Sequence, residues 1–314
     1  MASGVIGGSP LRQERQARVA ALGFDYAAQP KLTLSRCNLC GSASFIVLTH
    51  QDRYGYAAEA HGCRRCGLVF LNPVMTPEAY GAFYGDVYRP LVSAYHGRLI
   101  DARTIKPEQE AYAQQRAAFL EPFLTGRAGG QMLDIGGSTG VVAHLLSKRF
   151  GLRGTVLDPA PSETSEARAL GLDIIEGLVE RHDFGNRKFD VVVMCQTSDH
   201  LLDVLGTFQR VRQLIADDGV FFMDVVDFRS AYLREWSIED AIKIDHPYYF
   251  SEFNAVAYLT RCGFDVLRTD YEADHLHVGY VCRPVAPRDV IPDPVTVEAF
   301  FREIRYVMNA PRHA

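Results

Sequence analysis

Two pairs of cysteines stand near the start of the chain, Cys37-Asn-Leu-Cys40-Gly41 and Cys63-Arg-Arg-Cys66-Gly67. Two residues between thiols let one tight turn aim both at a single ion, and the glycine after each pair permits a turn that points backbone amides at sulfur. Two such turns make a tetrahedral sulfur site suited to Zn2+, with iron as the alternative filling. Four protein ligands leave no open coordination position, so the ion's role would be structural. Further along, Leu133-Asp134-Ile135-Gly136-Gly137-Ser138-Thr139-Gly140 reads as a strand running into a glycine-rich turn. The glycines let backbone approach a ligand, but the spacing is not the GxGxxG of a dinucleotide site, and Asp134 would repel a pyrophosphate. A carboxylate there suits a cationic ligand, such as the amino group and sulfonium of S-adenosylmethionine. Asp158 lies 24 residues further on, at the end of the next expected strand, where a carboxylate can take both hydroxyls of a ribose.

These groups need elements to hold them. From residue 131 onward, short apolar runs alternate with amphipathic helical stretches. Strands are expected over 132–135, 152–157, 172–175, 189–194, 219–226, 264–271 and 275–282, and helices over 141–150, 163–170, 204–215 and 252–262. Such alternation predicts an α/β fold, a Rossmann-like, doubly wound, mostly parallel seven-stranded sheet with helices on both faces. The last two strands, joined by a short turn, read as antiparallel at the sheet edge. The sheet domain is expected over 127–284. A lead-in over 1–34 precedes it, with a helix near 11–22, then a small zinc-ribbon-like domain over 35–75 closed by Asn72-Pro73. A helical cover follows over 76–126, with Thr76 as N-cap, Pro77 at the first helical position, and a second helix over 107–124. The C-terminal segment 285–314 carries an amphipathic helix over 295–308, a candidate homodimer surface.

Composition excludes several classes. The chain has 314 residues, 47% hydrophobic and 23% charged, as in soluble globular proteins. No run of 18 apolar residues predicts a membrane span, and the N-terminus lacks the pattern of a signal peptide. The seven cysteines form an odd set dominated by CxxC pairs, which together with the missing leader points to a reducing, cytoplasmic location. The remaining thiols, Cys195, Cys262 and Cys282, read as structural. A formal net charge of -5 disfavours a nucleic-acid partner.

The order of acid, glycine turn and second acid resembles the class I S-adenosylmethionine-dependent methyltransferases. Their first motif commonly reads as an acid followed by glycines at alternate positions; Ser138 stands here at the middle glycine. Phe189-Asp-Val-Val-Val-Met194 resembles the fourth strand, which ends beneath the methyl donor, and Leu214-Ile-Ala-Asp-Asp-Gly219 resembles the turn before the fifth. The double CxxC, Phe70-Leu-Asn-Pro73 and Tyr248-Tyr-Phe-Ser251 resemble a narrower group, the zinc-knuckle methyltransferases of glycan and natural-product biosynthesis, over about residues 35–283. The resemblance implies donor contacts at Asp134, Gly136, Gly137, Ser138, Gly140, Asp158 and Pro159. It also implies an adenine border at 176–178, including Leu178, and Gln196 near the methionine part.

Methyl transfer is an in-line displacement, so the protein must align the acceptor and remove its proton. His200, in Ser198-Asp-His200, and His246, which opens His246-Pro-Tyr-Tyr-Phe-Ser251, are the candidate bases, both expected on the carboxyl rim of the sheet. Tyr248 offers a hydroxyl or an aromatic wall. The stretch 229–245 reads as part of a lid in which Arg229, Tyr232, Arg234 and Trp236 could hold an anionic or sugar-like acceptor or equally pack against a second subunit; arginines suit a phosphate. The expected partner is a small molecule, a phosphorylated or nucleotide-linked sugar, methylated on oxygen or carbon. Members of the group that methylate a keto-sugar carbon can carry a further large domain. With 31 residues after Arg283, O-methylation stands beside C-methylation. Two other functions share the pattern. One is an RNA methyltransferase whose knuckle grips RNA, although Cys195-Gln-Thr-Ser198 replaces the Pro-Pro-aromatic turn used on exocyclic amines. The other is a non-catalytic binding protein of the same fold, for which Ser138 leaves room.

Overall fold

A computed structural model describes residues 10–310. Helix α1 (Pro10–Ala20) leads into β1 (Lys31–Leu32), then β2 (Phe45–Thr49), β3 (Ala60–Cys63), β4 (Val69–Leu71) and β5 (Val74–Met75). Helices α2 (Pro77–Ala82), α3 (Tyr88–His96) and α4 (Lys106–Leu124) follow, the first two joined by a π-helical turn over Phe83–Val87. Next come β6 (Gln131–Ile135), α5 (Val141–Phe150), β7 (Arg153–Asp158), α6 (Pro161–Ala169), β8 (Asp173–Glu176) and β9 (Phe189–Met194). The chain continues with α7 (Val204–Leu214), β10 (Ile215–Val226), α8 (Phe228–Glu235), α9 (Ile238–Ala241) and β11 (Tyr248–Tyr249). It ends with α10 (Glu252–Arg261), β12 (Phe264–Tyr271), β13 (His277–Pro284) and α11 (Pro294–Asn309).

The main sheet has the order β12-β13-β10-β9-β6-β7-β8. Only β13 runs against its neighbours, β10 and β12, as expected for the last two strands. The central strands are buried on both faces, which is why β9 reads as an unbroken apolar run rather than an alternation. β10 begins at Ile215 instead of 219; a register irregularity between Ile215 and Val220 absorbs the Asp217-Asp218-Gly219 turn that the sequence suggested there. Chain order reverses between β6 and β9, and ligands of open α/β sheets bind at the carboxyl ends flanking such a reversal.

The N-terminal sheet has the order β11-β4-β3-β2. Its edge strand comes from far along the chain: Tyr248 pairs with Phe70 and Tyr249 with Val69, antiparallel. The sheet is covered by α11, whose apolar side buries Val297, Phe300, Phe301, Ile304 and Val307. Gly62 in β3 makes this cover possible, because a Cβ there would lie 2.6 Å from the Phe301 ring. The amphipathic face offered by the sequence as a dimer surface is thus occupied within the chain. The N-terminal sheet is also not confined to residues 35–75, since it takes one strand and its cover from beyond residue 247. Among the described residues, no helix is long and apolar enough to cross a membrane.

Truncating Phe301 to Ala should cost about 3 kcal/mol, as for large aromatic deletions in a packed core. The check is denaturant melting of the metal-loaded protein, with Val295→Ala, at a position 70% exposed on the same helix, expected to stay within about 0.5 kcal/mol.

Candidate active site

The turn after β6 is shaped by absent side chains. Gly136 has φ 71°, and a Cβ there would lie 2.5 Å from the Thr197 side chain, so the loop leaving β9 can cross directly over it. At Gly137 a Cβ would lie 2.7 Å from the Asp134 carboxylate. Asp134 is 1% exposed, and neither of its carboxylate oxygens has a hydrogen-bond partner. Burial, followed by the negative charges of Asp158 and Asp224, pushes its pKa up to about 7 against a smaller opposing effect of the Ala143 amide. A buried acid left unpaired in this way is relieved by a cation placed against it.

Asp158 ends β7 and is held by two amides: Ser138 N donates to Oδ2 at 3.0 Å and Ala160 N to Oδ1 at 2.9 Å. Burial raises its pKa and the amides oppose the rise. Ser138 would fit the glycine position without strain only in an ordinary backbone conformation, yet it sits at φ 48°, in the left-handed region. Its amide bond to Asp158 and its hydroxyl, which donates to Glu163 Oε2 at 2.5 Å, hold it there. Arg89 in turn pairs with Glu163 at 3.2 Å. Gly140, at φ 73°, caps α5. Pro159 is exposed beside Asp158. Leu178 is 41% exposed just past β8, whose Glu176 pairs with Asp158. Gln196, at φ 51°, is fixed through its amide, which donates to Asp224 Oδ1 at 2.6 Å. Tyr112 and Arg116 of α4 bind the other oxygen of Asp224. The expected donor residues therefore share one rim, at the carboxyl ends of β6, β7, β8 and β9.

The two candidate histidines meet across the loops after β9 and α9, with ring centroids 4.7 Å apart in a T-shape. Their nitrogens are spent differently. His200 Nδ1 lies 2.9 Å from the Asp245 carbonyl oxygen and 2.8 Å from the Tyr84 hydroxyl, which itself donates to that carbonyl at 2.8 Å. A carbonyl only accepts, so Nδ1 carries the proton and Nε2 keeps a lone pair. His246 Nδ1 lies 3.0 Å from Asp199 Oδ2 and donates to it. Its Nε2 faces Lys243 Nζ at 3.4 Å and Asp245 Oδ2 at 3.5 Å. Burial and then the Lys243 charge hold the His246 pKa well below the ordinary value, so this ring stays neutral with both nitrogens engaged. Tyr248 lies outside the cluster: it is buried in β11, and its hydroxyl donates to the Leu202 carbonyl at 3.2 Å. Sequence reasoning missed Tyr84, Lys243, Asp199 and Asp245. The two acids were signalled by their position next to each histidine; nothing marked Tyr84 or Lys243.

Cys37, Cys40, Cys63 and Cys66 bring their sulfurs within 4.8 Å of one another. The Cys37–Cys66 and Cys40–Cys63 sulfur pairs are 3.4 Å and 3.5 Å apart. Both knuckles close as expected: Gly41 N donates to Cys37 O at 2.9 Å and Gly67 N to Cys63 O at 2.8 Å, with both glycines left-handed. Four thiols so gathered fit a tetrahedral Zn2+ with Zn–S bonds of about 2.3 Å. Cys195, just after β9, is a poor nucleophile because burial raises its pKa.

The lid expected over 229–245 takes another form. Arg229 pairs with Glu303 of α11 at 2.6 Å, and the Tyr232 hydroxyl also binds Glu303. Arg234 binds the Asp274 carbonyl, and Trp236 stands edge-on to Tyr306. These side chains are used within the chain, mostly against α11. A separate open cleft of about 760 Å3, lined in part by Asp227, Arg229, Glu252 and Tyr271, lies at the far edge of the sheet.

Among curated proteins, none matches this sequence. Solved structures with partial likeness include an S-adenosylmethionine-dependent methyltransferase from Clostridium acetobutylicum, at 15% identity over 66% of this chain and 99% of that one, with a TM-score of 0.46. The CcbJ methyltransferase from Streptomyces caelestis is 15% identical over 57% of this chain and 90% of that one, with a TM-score of 0.45. The glycopeptide N-methyltransferase MtfA, solved with S-adenosyl-L-methionine, is 15% identical over 56% of this chain and 94% of that one, with a TM-score of 0.44. A family model described as a methyltransferase domain matches residues 107–269, just over half of the chain and the span holding every expected donor residue, so the chain belongs to the methyltransferase-domain family.

Proposed function

We propose that this protein transfers a methyl group from S-adenosylmethionine to a small acceptor, with His200 as the base. One observation carries the reading: an unpaired buried carboxylate, Asp134, at the end of β6, and a histidine with an unspent nitrogen, His200, after β9, flank the same strand-order reversal. When bound, the donor supplies an activated methyl on a sulfonium. Asp134 balances positive charge on the donor, Asp158 takes its ribose hydroxyls, and Gly136, Gly137, Ser138 and Gly140 form the turn against which it lies. Pro159, Leu178 and Gln196 border it on the same rim. His200 Nε2 accepts the acceptor's proton, while Tyr84 and the Asp245 carbonyl hold the ring in the tautomer that permits this. His246 keeps an orienting part, tied between Asp199 and Lys243. The cysteine cluster holds Zn2+ as a structural ion.

The cluster carries both signs: Asp199 and Asp245 lie against His246, beside Lys243, whose pKa burial lowers. Lys243 and Arg53 both lie close enough to lower the His246 pKa, and Arg53 stacks on Tyr95 at 4.5 Å with its Nε unpaired and buried. These cations, rather than Arg229 and Arg234, support a phosphorylated or nucleotide-linked sugar, methylated on oxygen or carbon.

Calorimetric titration with S-adenosylmethionine and its demethylated product, in zinc-loaded protein, should give micromolar binding that weakens at least about tenfold in Asp158→Ala. No binding by the folded wild type would overturn the donor assignment. Affinity should also fall by roughly tenfold from pH 8 to pH 6, as Asp134 protonates through its raised pKa and loses the charge that meets the donor. Stability of the free protein runs the other way. A carboxyl whose folded pKa is raised contributes stability fully present below its unfolded value, and loses it as pH rises through about 7. With any acceptor found by screening, His200→Gln should lower kcat about a hundredfold or more while donor affinity stays unchanged. An unchanged kcat would assign the base elsewhere.

A further inference from the structure

The metal knuckle reaches well beyond its own sheet. Asn38, the first residue between Cys37 and Cys40, spends its whole side-chain amide on a distant part of the chain. Its Nδ2 donates to Asp203 Oδ1 at 2.8 Å, and its Oδ1 accepts from Leu205 N at 3.0 Å and from the Tyr258 hydroxyl at 2.9 Å. Asp203 is the N-cap of α7, and its Oδ1 also accepts from Gly206 N at 3.0 Å. Asn38 therefore completes the cap, taking an amide that Asp203 does not reach. Leu39, 1% exposed, packs in the same cluster as Val204, Phe208 and Tyr258.

The capped end matters because of what precedes it. The single 3-10 turn Ser198–His200 carries the proposed base and ends three residues before Asp203. Between them, Leu202 is held through its carbonyl by the hydroxyl of Tyr248, the edge strand of the knuckle's own sheet. Besides the contacts of Asp199 and His200 with His246, Tyr84 and Asp245, the segment 198–205 thus has two anchors on the N-terminal sheet and its knuckle, Tyr248 and Asn38. A CxxC turn is rigid when both thiolates grip an ion and loses that constraint without it.

We propose that Asn38 is a positioning residue that couples the metal centre to the His200 segment: the loaded knuckle sets where Asn38 sits, and Asn38 fixes the start of α7 and the loop before it. The donor side, residues 134–158, has no hydrogen bond to the knuckle among the described residues and is left out of this coupling. The catalytic consequence rests on His200 being the base, whereas the coupling itself does not.

The test is hydrogen exchange by mass spectrometry on the full chain, with metal content measured in every sample and the demethylated donor product as binding probe. Asn38→Ala that retains its metal should speed exchange in peptides spanning 198–206 by about tenfold, and stripping the metal from the wild type should do the same. Product affinity should stay within about threefold in both. A swap supplies the specific control. Asn38→Asp alone places two carboxylates together and should mimic Asn38→Ala; adding Asp203→Asn restores one donor and one acceptor while keeping an N-cap, and should restore slow exchange. The proposal fails if Asn38→Ala changes exchange only within the knuckle, or if the double swap exchanges as fast as Asn38→Asp. Failure of product binding with the coupling intact would count against the donor assignment and not against this inference.

Discussion

The antiparallel pairing of Tyr248–Tyr249 with Val69–Phe70 is the contact on which the acceptor side of the cleft depends. It turns a segment of the methyltransferase region into the edge of the N-terminal sheet, so the strand next to His246 is held by backbone hydrogen bonds from the other end of the chain. The neighbouring turn is gripped as well. Arg53 N donates to the Ile242 carbonyl at 2.9 Å, Leu71 N to the Pro247 carbonyl at 2.9 Å, and Ile244 N to Asp52 Oδ2 at 3.1 Å. Asp52 is fully buried, with three amides compensating a carboxyl whose pKa burial pushes up to about 8. The cysteine-bearing part therefore packs directly against the turn that carries His246, and forms a wall of the proposed acceptor site.

The two sides of the cleft handle charge in opposite ways. On the proposed donor side an acid is buried with no hydrogen-bond partner on either oxygen, a cost relieved by protonation or by a cation placed against it. On the proposed acceptor side charged and polar groups are paired with one another: Asp199 with His246, His246 with Lys243, and the Asp245 carbonyl and Tyr84 with His200. Asp199 Oδ1, Asp245 Oδ1, Ser198 Oγ and Arg53 Nε are buried there without a hydrogen-bond partner, and His200 Nε2 keeps a lone pair.

The main sheet was legible because buried parallel strands make apolar runs separated by helices, and no other arrangement hides such runs on both faces. The donor turn was legible for a local reason, since acid, glycines and second acid lie within one β-α-β unit. The N-terminal sheet was not. Its β11 is only two residues long and carries no alternation, and its cover, α11, read as a free amphipathic helix because Gly62 gives no hint of the Phe301 ring that replaces its missing side chain. The acceptor cluster was half legible. His200 and His246 drew notice as histidines on an expected rim. Tyr84 comes from a π-helical turn that sequence periodicity does not reveal, and Lys243 looked like any surface lysine. The lid arginines misled because a sequence cannot show Glu303, from the last helix, standing opposite Arg229.

The long reach of β11 also constrains how the protein is made. The ribosome releases β2, β3 and β4 early, yet the strand that closes their edge is about 180 residues further on, and the helix that covers their face lies later still. At about 5–20 residues per second, the nascent sheet waits on the order of ten seconds or more with an open edge and an uncovered apolar face. The four cysteines all lie between residues 37 and 66 and, like the β2–β3–β4 pairings, need nothing downstream to come together. A metal ion held by those thiols would keep the early strands together until the rest of the chain arrives to finish the sheet.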